Sequence, residues 1–211
     1  MTRKAIFIFV LVMALGVLPT SAQQNNVWNK FEVTPFVGFH FGGKIRTREG
    51  DITLKDGAGY GVIVDISVRP GAQVEFLYSH QPTELRLNSF VTGGKEVLFD
   101  AAMDYWQIGG LMEFYRGGMA KPFGVMTLGL THLNSKEVGA SSETRFSFGF
   151  GGGVKAQPSK HIGFRAEGRL YFTYISGGSG LWCGLPGGCW ITLGGEAMVQ
   201  GQLNAGVIIA F

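Results

Sequence analysis

Apolar and small-or-polar residues alternate along most of this chain with a period of two, interrupted by clusters of glycine, proline and serine. That period is the mark of a β-strand with one face in an apolar medium. Eight segments carry it: Phe31–Gly42, Gly59–Arg69, Gln73–Gln81, Tyr105–Tyr115, Phe123–Leu133, Arg145–Gln157, Ile162–Tyr174 and Glu196–Phe211. One parity collects large apolar residues, among them Val37, Phe39, Phe41, Tyr60, Val62, Val64, Phe76, Tyr78, Trp106, Ile108, Met126, Leu128, Phe148, Phe150, Phe164 and Leu170. Within the strand limits that parity holds no Asp, Glu, Lys or Arg. The other parity carries Glu32, Asp65, Arg69, Glu75, Glu113, Arg145, Lys155, Arg165, Glu167, Arg169 and Glu196.

Parity alone does not say which face is inside. A soluble sandwich would bury the apolar face and wet the charges. Three features favour the reverse. The apolar face is rich in large aromatics, as at a lipid boundary. The opposite face is full of Gly, Ser and Thr, too small to pack a dry core. The third is export: Arg3 and Lys4 precede an apolar run from Ala5 to Leu18, and Thr20-Ser21-Ala22 follows Pro19. This reads as a signal peptide cleaved after Ala22, since a membrane-spanning helix needs about 20 apolar residues. In hydrocarbon every backbone polar group must pair, so such strands must close on themselves. The expected fold is all-β: a transmembrane eight-stranded antiparallel up-and-down β-barrel over 23–211, after a leader at 1–22. Short connections at 69–72, 116–121 and 158–161 alternate with long ones, as periplasmic turns alternate with outer loops. Asp104 breaks the parity rule and is therefore expected above the membrane, ahead of the fourth strand. Pro35 costs one ladder donor near a strand end.

Charge and composition narrow the function. The formal charge of +3 falls to +1 when Arg3 and Lys4 leave with the leader. A near-neutral chain argues against a nucleic-acid partner. The 34 glycines are dispersed through periodic segments rather than gathered in linkers, so one domain is expected.

The order and spacing of Phe31-Glu-Val-Thr-Pro-Phe-Val-Gly-Phe39, Gly59-Tyr-Gly61, Arg69-Pro-Gly71, Lys121-Pro-Phe-Gly124, Phe148-Gly-Phe-Gly-Gly-Gly-Val154 and Arg165-Ala-Glu-Gly-Arg169 resemble small bacterial outer-membrane β-barrels. That group includes the OmpA-type transmembrane domain and opacity-type surface proteins. The final series Leu203, Ala205, Val207, Ile209, Phe211 resembles the C-terminal assembly signal of such proteins. The resemblance implies a bacterial outer-membrane location, contact with outer-membrane lipid, and recognition by the barrel-assembly machinery. The sequence closes with the eighth strand, so cell-wall anchoring of the full-length OmpA type is not carried over.

Candidate chemistry is sparse. Gly38-Phe-His-Phe-Gly-Gly-Lys44 approaches a phosphate-binding loop, but Ile45 stands where Ser or Thr is needed. His40, His80, His132 and His161 have no ligand spacing; the first three fall near outer strand ends, as solvated rim residues. A lipid deacylase needs a His–Ser pair with an orienting acid, and His132 with Ser135 has the wrong parity. No catalytic residue, metal site or cofactor is expected, and no enzyme. Cys183 and Cys189, the two cysteines, are expected to form a disulfide after export.

An eight-stranded barrel has a lumen filled by side chains. The inward charges Asp65, Glu75, Glu113 and Glu167 against Lys155, Arg165 and Arg169 are expected to pair across it, with a base reaching between Glu75 and Glu113. The expected role is a structural or surface-interaction protein, monomeric, with loops open to an extracellular partner. A narrow gated pore is the alternative, and a lipid-modifying enzyme the third reading.

Overall fold

The computed structural model describes residues 31–46, 50–89, 95–114, 120–135, 142–174, 180–184, 188–192 and 197–211. All regular structure among them is strand: β1 (Phe31–Gly42), β2 (Lys44–Arg46), β3 (Gly50–Leu54), β4 (Gly57–Arg69), β5 (Ala72–Ser89), β6 (Lys95–Glu113), β7 (Ala120–Ser135), β8 (Glu143–Ala156), β9 (Ile162–Tyr174), β10 (Gly180–Gly184), β11 (Gly188–Thr192) and β12 (Ala197–Ala210). Eight of these run β5-β4-β1-β12-β9-β8-β7-β6, and pairing of β5 with β6 closes the ring. The fold is thus a closed eight-stranded antiparallel barrel. The leader at 1–22 lies outside the described residues.

Alternation sets the two faces as expected. Along β9, Arg165, Glu167, Arg169, Tyr171 and Thr173 are buried while Phe164, Leu170 and Tyr174 are exposed. The outward series of β12 is Leu203, Ala205, Val207, Ile209 and Phe211. At the Arg69–Ala72 turn Pro70 presets its own φ, and Gly71 takes a left-handed φ of 70° that a side chain would resist.

The register shows how the ring closes. From Val37 one route runs through Ala205 and Ala166 to Val154. The other runs through Tyr60, His80, Asp104 and His132 to Thr144. Both arrive on β8, at positions ten residues apart. This stagger tilts the strands by about 40°. Outward apolar side chains on β6 run from Phe114 to Trp106 before Asp104 interrupts them. At that tilt and about 3.3 Å per residue the stretch from Phe114 to Trp106 rises roughly 20 Å, most of the ~25 Å apolar band of such barrels.

Two expectations need correction. β5 and β6 extend far past Gln81 and Tyr105, pairing up to Asn88↔Lys95, and β2, β3, β10 and β11 form in stretches taken as loops. Above the lipid the outer face meets water, so Glu84 and Arg86 take the outward parity and the apolar alternation that defined the strands is lost. Second, the inward face is not only small and polar. Phe36, Ile63, Leu77, Tyr105 and Tyr171 are buried there, in a cluster that also contains Leu54, Leu85, Met103 and Met198.

The seam between β1 and β12 ends in an aromatic clasp. The Phe211 ring packs 6.1 Å from that of Phe31, and Phe211 N donates to Phe31 O at 2.9 Å. Phe211→Asp is expected to slow closure and to destabilise the barrel by about 1 kcal/mol, the cost of a charge at the interface. The measurement is the gel shift between unheated and boiled protein; parent-like amounts of the compact species, with the same melting temperature, would contradict it.

Candidate functional site

The lumen is filled in layers. The layer nearest the short turns is a charge network held by β1, β4, β5, β8 and β9. Lys155, from β8, donates to Glu32 at 2.7 Å, Asp65 at 3.0 Å and the amide oxygen of Gln73 at 2.6 Å. Arg165 spans three carboxylates: Asp65 at 2.7 Å, Glu75 at 2.6 Å and Glu167 at 2.7 Å. Arg169 binds Glu167 through Nε at 2.6 Å, and its Nη2 lies 2.8 Å from Glu75 Oε1 as an ion pair without hydrogen-bond alignment. Asn204 donates to Glu167 at 3.1 Å. The Arg165 guanidinium also lies over the Phe123 ring, 4.7 Å from its centroid. Asp65, Glu75 and Lys155 are 0% exposed, so this is a water-excluded network rather than solvated lumen charge.

Of the residues expected to meet across the lumen, Asp65, Glu75, Lys155, Arg165, Glu167 and Arg169 lie in this network. Glu113 does not. It sits at the lower rim, 4.0 Å from Lys121. Its place is taken by Glu32, whose register partners are Asp65 and Ala210. The register sets Glu75 opposite Gly109, four residues before Glu113, and Glu32 reaches Lys155 instead. The base that reaches between acids is Arg165, and it spans three, Asp65, Glu75 and Glu167, rather than Glu75 and Glu113.

A second layer nearer the outer rim is neutral. His40 is fully buried, 3.3 Å from Ser79 Oγ and 2.9 Å from Gln202 Nε2. Tyr171 donates to Gln202 at 2.7 Å, Tyr105 donates to Gln200, and Gln200 donates to Gln81 at 2.9 Å. The Tyr105 and Tyr171 rings stack at 4.4 Å. His40 is therefore a core residue, not a solvated rim histidine; its inward parity with Glu32 was the signal that could have shown this.

The remaining histidines do not gather. His80, on the outer face of β5, bonds Asp104 at 2.7 Å, and Tyr78 donates to the same Asp104 oxygen at 2.9 Å. Asp104 is thus inside β6, at the upper edge of the apolar band, and not ahead of the strand. Its carboxylate survives there because two partners satisfy it. His132 bonds Thr144 Oγ1 at 2.8 Å, and the Ser135 side chain lies outside the described residues. His161 Nδ1 lies 3.1 Å from Ala210 O at the opposite end. Among the described residues no group of three potential ligands could hold a metal ion. The near phosphate loop lies in β1 and leads to β2, with no helix to complete an anion site. Above the lipid, Lys55 and Arg86 both bind Glu84 and hold its carboxyl below the usual carboxylate range.

The backbone of the β10–β11 hairpin sets Cys183 directly opposite Cys189. Their side chains, and so the expected disulfide, lie outside the described residues.

An apolar belt outside, charge inside and a closed ring define a transmembrane β-barrel. The chain belongs to the outer membrane protein beta-barrel domain family, whose profile matches residues 10–207. Solved structures repeat the fold at low identity. Neisserial surface protein A aligns at 14% identity over 86% of this chain and 97% of its own, with a TM-score of 0.59. The outer membrane protein AlkL aligns at 11% over 92% and 97%, with a TM-score of 0.59. OprG from Pseudomonas aeruginosa aligns at 12% over 86% and 95%, with a TM-score of 0.57. No curated protein matches the chain in sequence.

Proposed function

We propose that this protein is a structural and surface-interaction barrel of the bacterial outer membrane, non-enzymatic, monomeric and closed to bulk solute. The observation that carries this reading is the occluded lumen. Seven charged side chains from five strands bridge it, beneath a layer of stacked tyrosines and paired glutamines. Nothing as large as a hydrated solute passes without breaking several of these bonds. The similar Neisserial barrel is itself named a surface protein, which supports an exposed role for the loops. The rim favours no enzyme: Asp104 orients His80, His132 binds Thr144, and no nucleophile is bonded to an acid-oriented histidine among the described residues.

The test is single-channel recording of the purified barrel in planar bilayers. A baseline without discrete steps is expected. Reproducible openings in the parent would transfer the reading to the narrow gated pore. Export through a cleaved leader is part of the proposal, and mass spectrometry of the outer-membrane fraction should find a mature chain starting at Gln23.

The Cys183–Cys189 disulfide belongs to the same proposal. Opposed positions on a short hairpin suit the bond, and an oxidising compartment favours it. Alkylation of exported protein before reduction should label neither thiol, and alkylation afterwards should label both. Labelling without reductant would refute the bond. Because the hairpin is not part of the closed ring, reduction should leave the melting temperature of the barrel unchanged.

A further inference from the structure

The lipid-facing wall is not uniformly bulky. Where β12, β1, β4 and β5 adjoin in the outer half of the membrane, its outward residues shrink to Ala205, Ala58 and Pro82. They floor a groove of about 680 Å³ walled by Val37, Tyr60 and Leu203. Its origin is local. Pro82 has no N–H to give a ladder, and the β4–β5 register reaches no higher than Tyr60↔His80. β5 regains a backbone partner on that side only from Glu84, whose carbonyl accepts Lys55 N–H at 3.0 Å, and Leu85, opposite Leu54 of β3. Directly above the groove is a second recess of about 460 Å³, lined by Thr53, Lys55, Asp56 and Arg86 with Gly42 and Gly43.

The two recesses differ in depth and chemistry. With strands about 4.8 Å apart and tilted by about 40°, the groove covers roughly the upper 15 Å of the apolar band, and Lys55 and Arg86 stand roughly 5–10 Å above its top. The lower part is at acyl-chain depth, the upper at headgroup depth. Lys55 and Arg86 are matched in formal charge by Glu84 and Asp56, but hydrogen-bond donors are in surplus. One Glu84 oxygen accepts from Lys55 at 2.7 Å and the other from Arg86 at 3.0 Å. Asp56 accepts the Gly42 N–H at 2.9 Å. Arg86 Nε–H is buried with no acceptor. The Lys55 and Arg86 side chains are 47% and 38% exposed and keep N–H donors open to a further acceptor.

We propose that this wall seats one phosphate-bearing lipid of the outer leaflet, its acyl chain in the groove and its phosphate at Lys55 and Arg86. A phosphate offers acceptor oxygens alone, and a guanidinium meets them with paired bonds. A soluble protein segment does not reach the groove, which lies below the membrane surface. His80, Tyr78 and Asp104 flank it but satisfy one another and leave the acceptor-seeking groups to Lys55 and Arg86. The seat is on the outer wall, so it stands whether or not the lumen conducts.

The experiment uses the folded barrel in mixed micelles with dioleoyl phosphatidylglycerol or with dioleoylglycerol, which has the same chains and no phosphate. Native mass spectrometry counts the lipids retained. The parent is expected to keep one phosphatidylglycerol and at least tenfold less dioleoylglycerol. Ala58→Leu with Ala205→Leu fills the groove from the lipid side and should lower retention of both lipids about tenfold. Lys55→Ala with Arg86→Ala should abolish the preference for the phosphate while leaving the gel shift of the folded barrel intact. Should the alanine-to-leucine pair fail to fold, Ala205→Leu alone replaces it. Equal retention of the two lipids by the parent, or unchanged retention in both variants, overturns the proposal.

Discussion

Arg165→Ala is expected to destabilise the barrel by about 3–5 kcal/mol and to turn a silent protein into one that conducts in discrete steps. Arg165 is 2% exposed and binds three carboxylates at once, Asp65, Glu75 and Glu167. The network holds four acids against three bases, Glu32 being the fourth acid. Without Arg165, Lys155 and Arg169 must serve all four. The cost arises less from the lost bonds than from buried carboxylates left beside one another with no counter-charge. Water entering to solvate them relieves that cost and opens the lumen, so lower stability and conductance should appear together. Arg165→Lys should fall between parent and alanine, because an ammonium is a point charge and lacks the fork that spans three acceptors. Adding Asp65→Asn and Glu75→Gln to the alanine variant should recover part of the stability by removing the stranded charges. The measurements are the temperature at which the heat-shifted gel band appears and bilayer recording. Parent-like behaviour in both would show that lumen water already carries these charges.

Gly129→Val should prevent closure between β6 and β7. Strand propensity alone favours valine over glycine, by up to about 1 kcal/mol. The site reverses the sign. A Cβ at Gly129 would stand 1.9 Å from Trp106 O and 2.8 Å from Gln107 Cα, backbone atoms that no rotamer change can move. The strands must separate, and overpacking of this kind costs 1–3 kcal/mol or more. In hydrocarbon each ladder bond broken by the separation adds several kcal/mol. The variant is expected to yield little or no compact species on an unheated gel. Gly110→Val is the control on the neighbouring strand: it faces outward with nothing within 4 Å of its added Cβ. It should fold as the parent does, or slightly better. Equal folding of the two variants would show that the wall yields at Gly129.

The contrast between those glycines shows what was readable in advance. Their opposite faces follow from parity. That one of them is pressed against a neighbouring backbone does not, because the approach of β7 to β6 depends on curvature around the whole ring. The histidines divide in the same way. His40 shares parity with Glu32 and was legible as inward; its bonds to Ser79 and Gln202 needed two other strands in register. Asp104 departs from the parity rule because β6 continues past the apolar band, where the outward face meets polar partners. Its neighbours His80 and Tyr78 were invisible until β5 and β6 were paired.

The local pattern by itself determined the strands that span the bilayer, their number and which residues share a face, because a period of two is a property of extended backbone that needs no partner. Tertiary structure decided which inward residues meet. Two positions equally far along their strands differ in height once the ring closes with its ten-residue stagger. Glu75 therefore pairs with Gly109, four residues before Glu113, so Glu113 is left at the rim with Lys121 while Glu32 meets Lys155. The stagger is a collective property of eight strands, fixed only when β5 pairs with β6, and no single segment carries it.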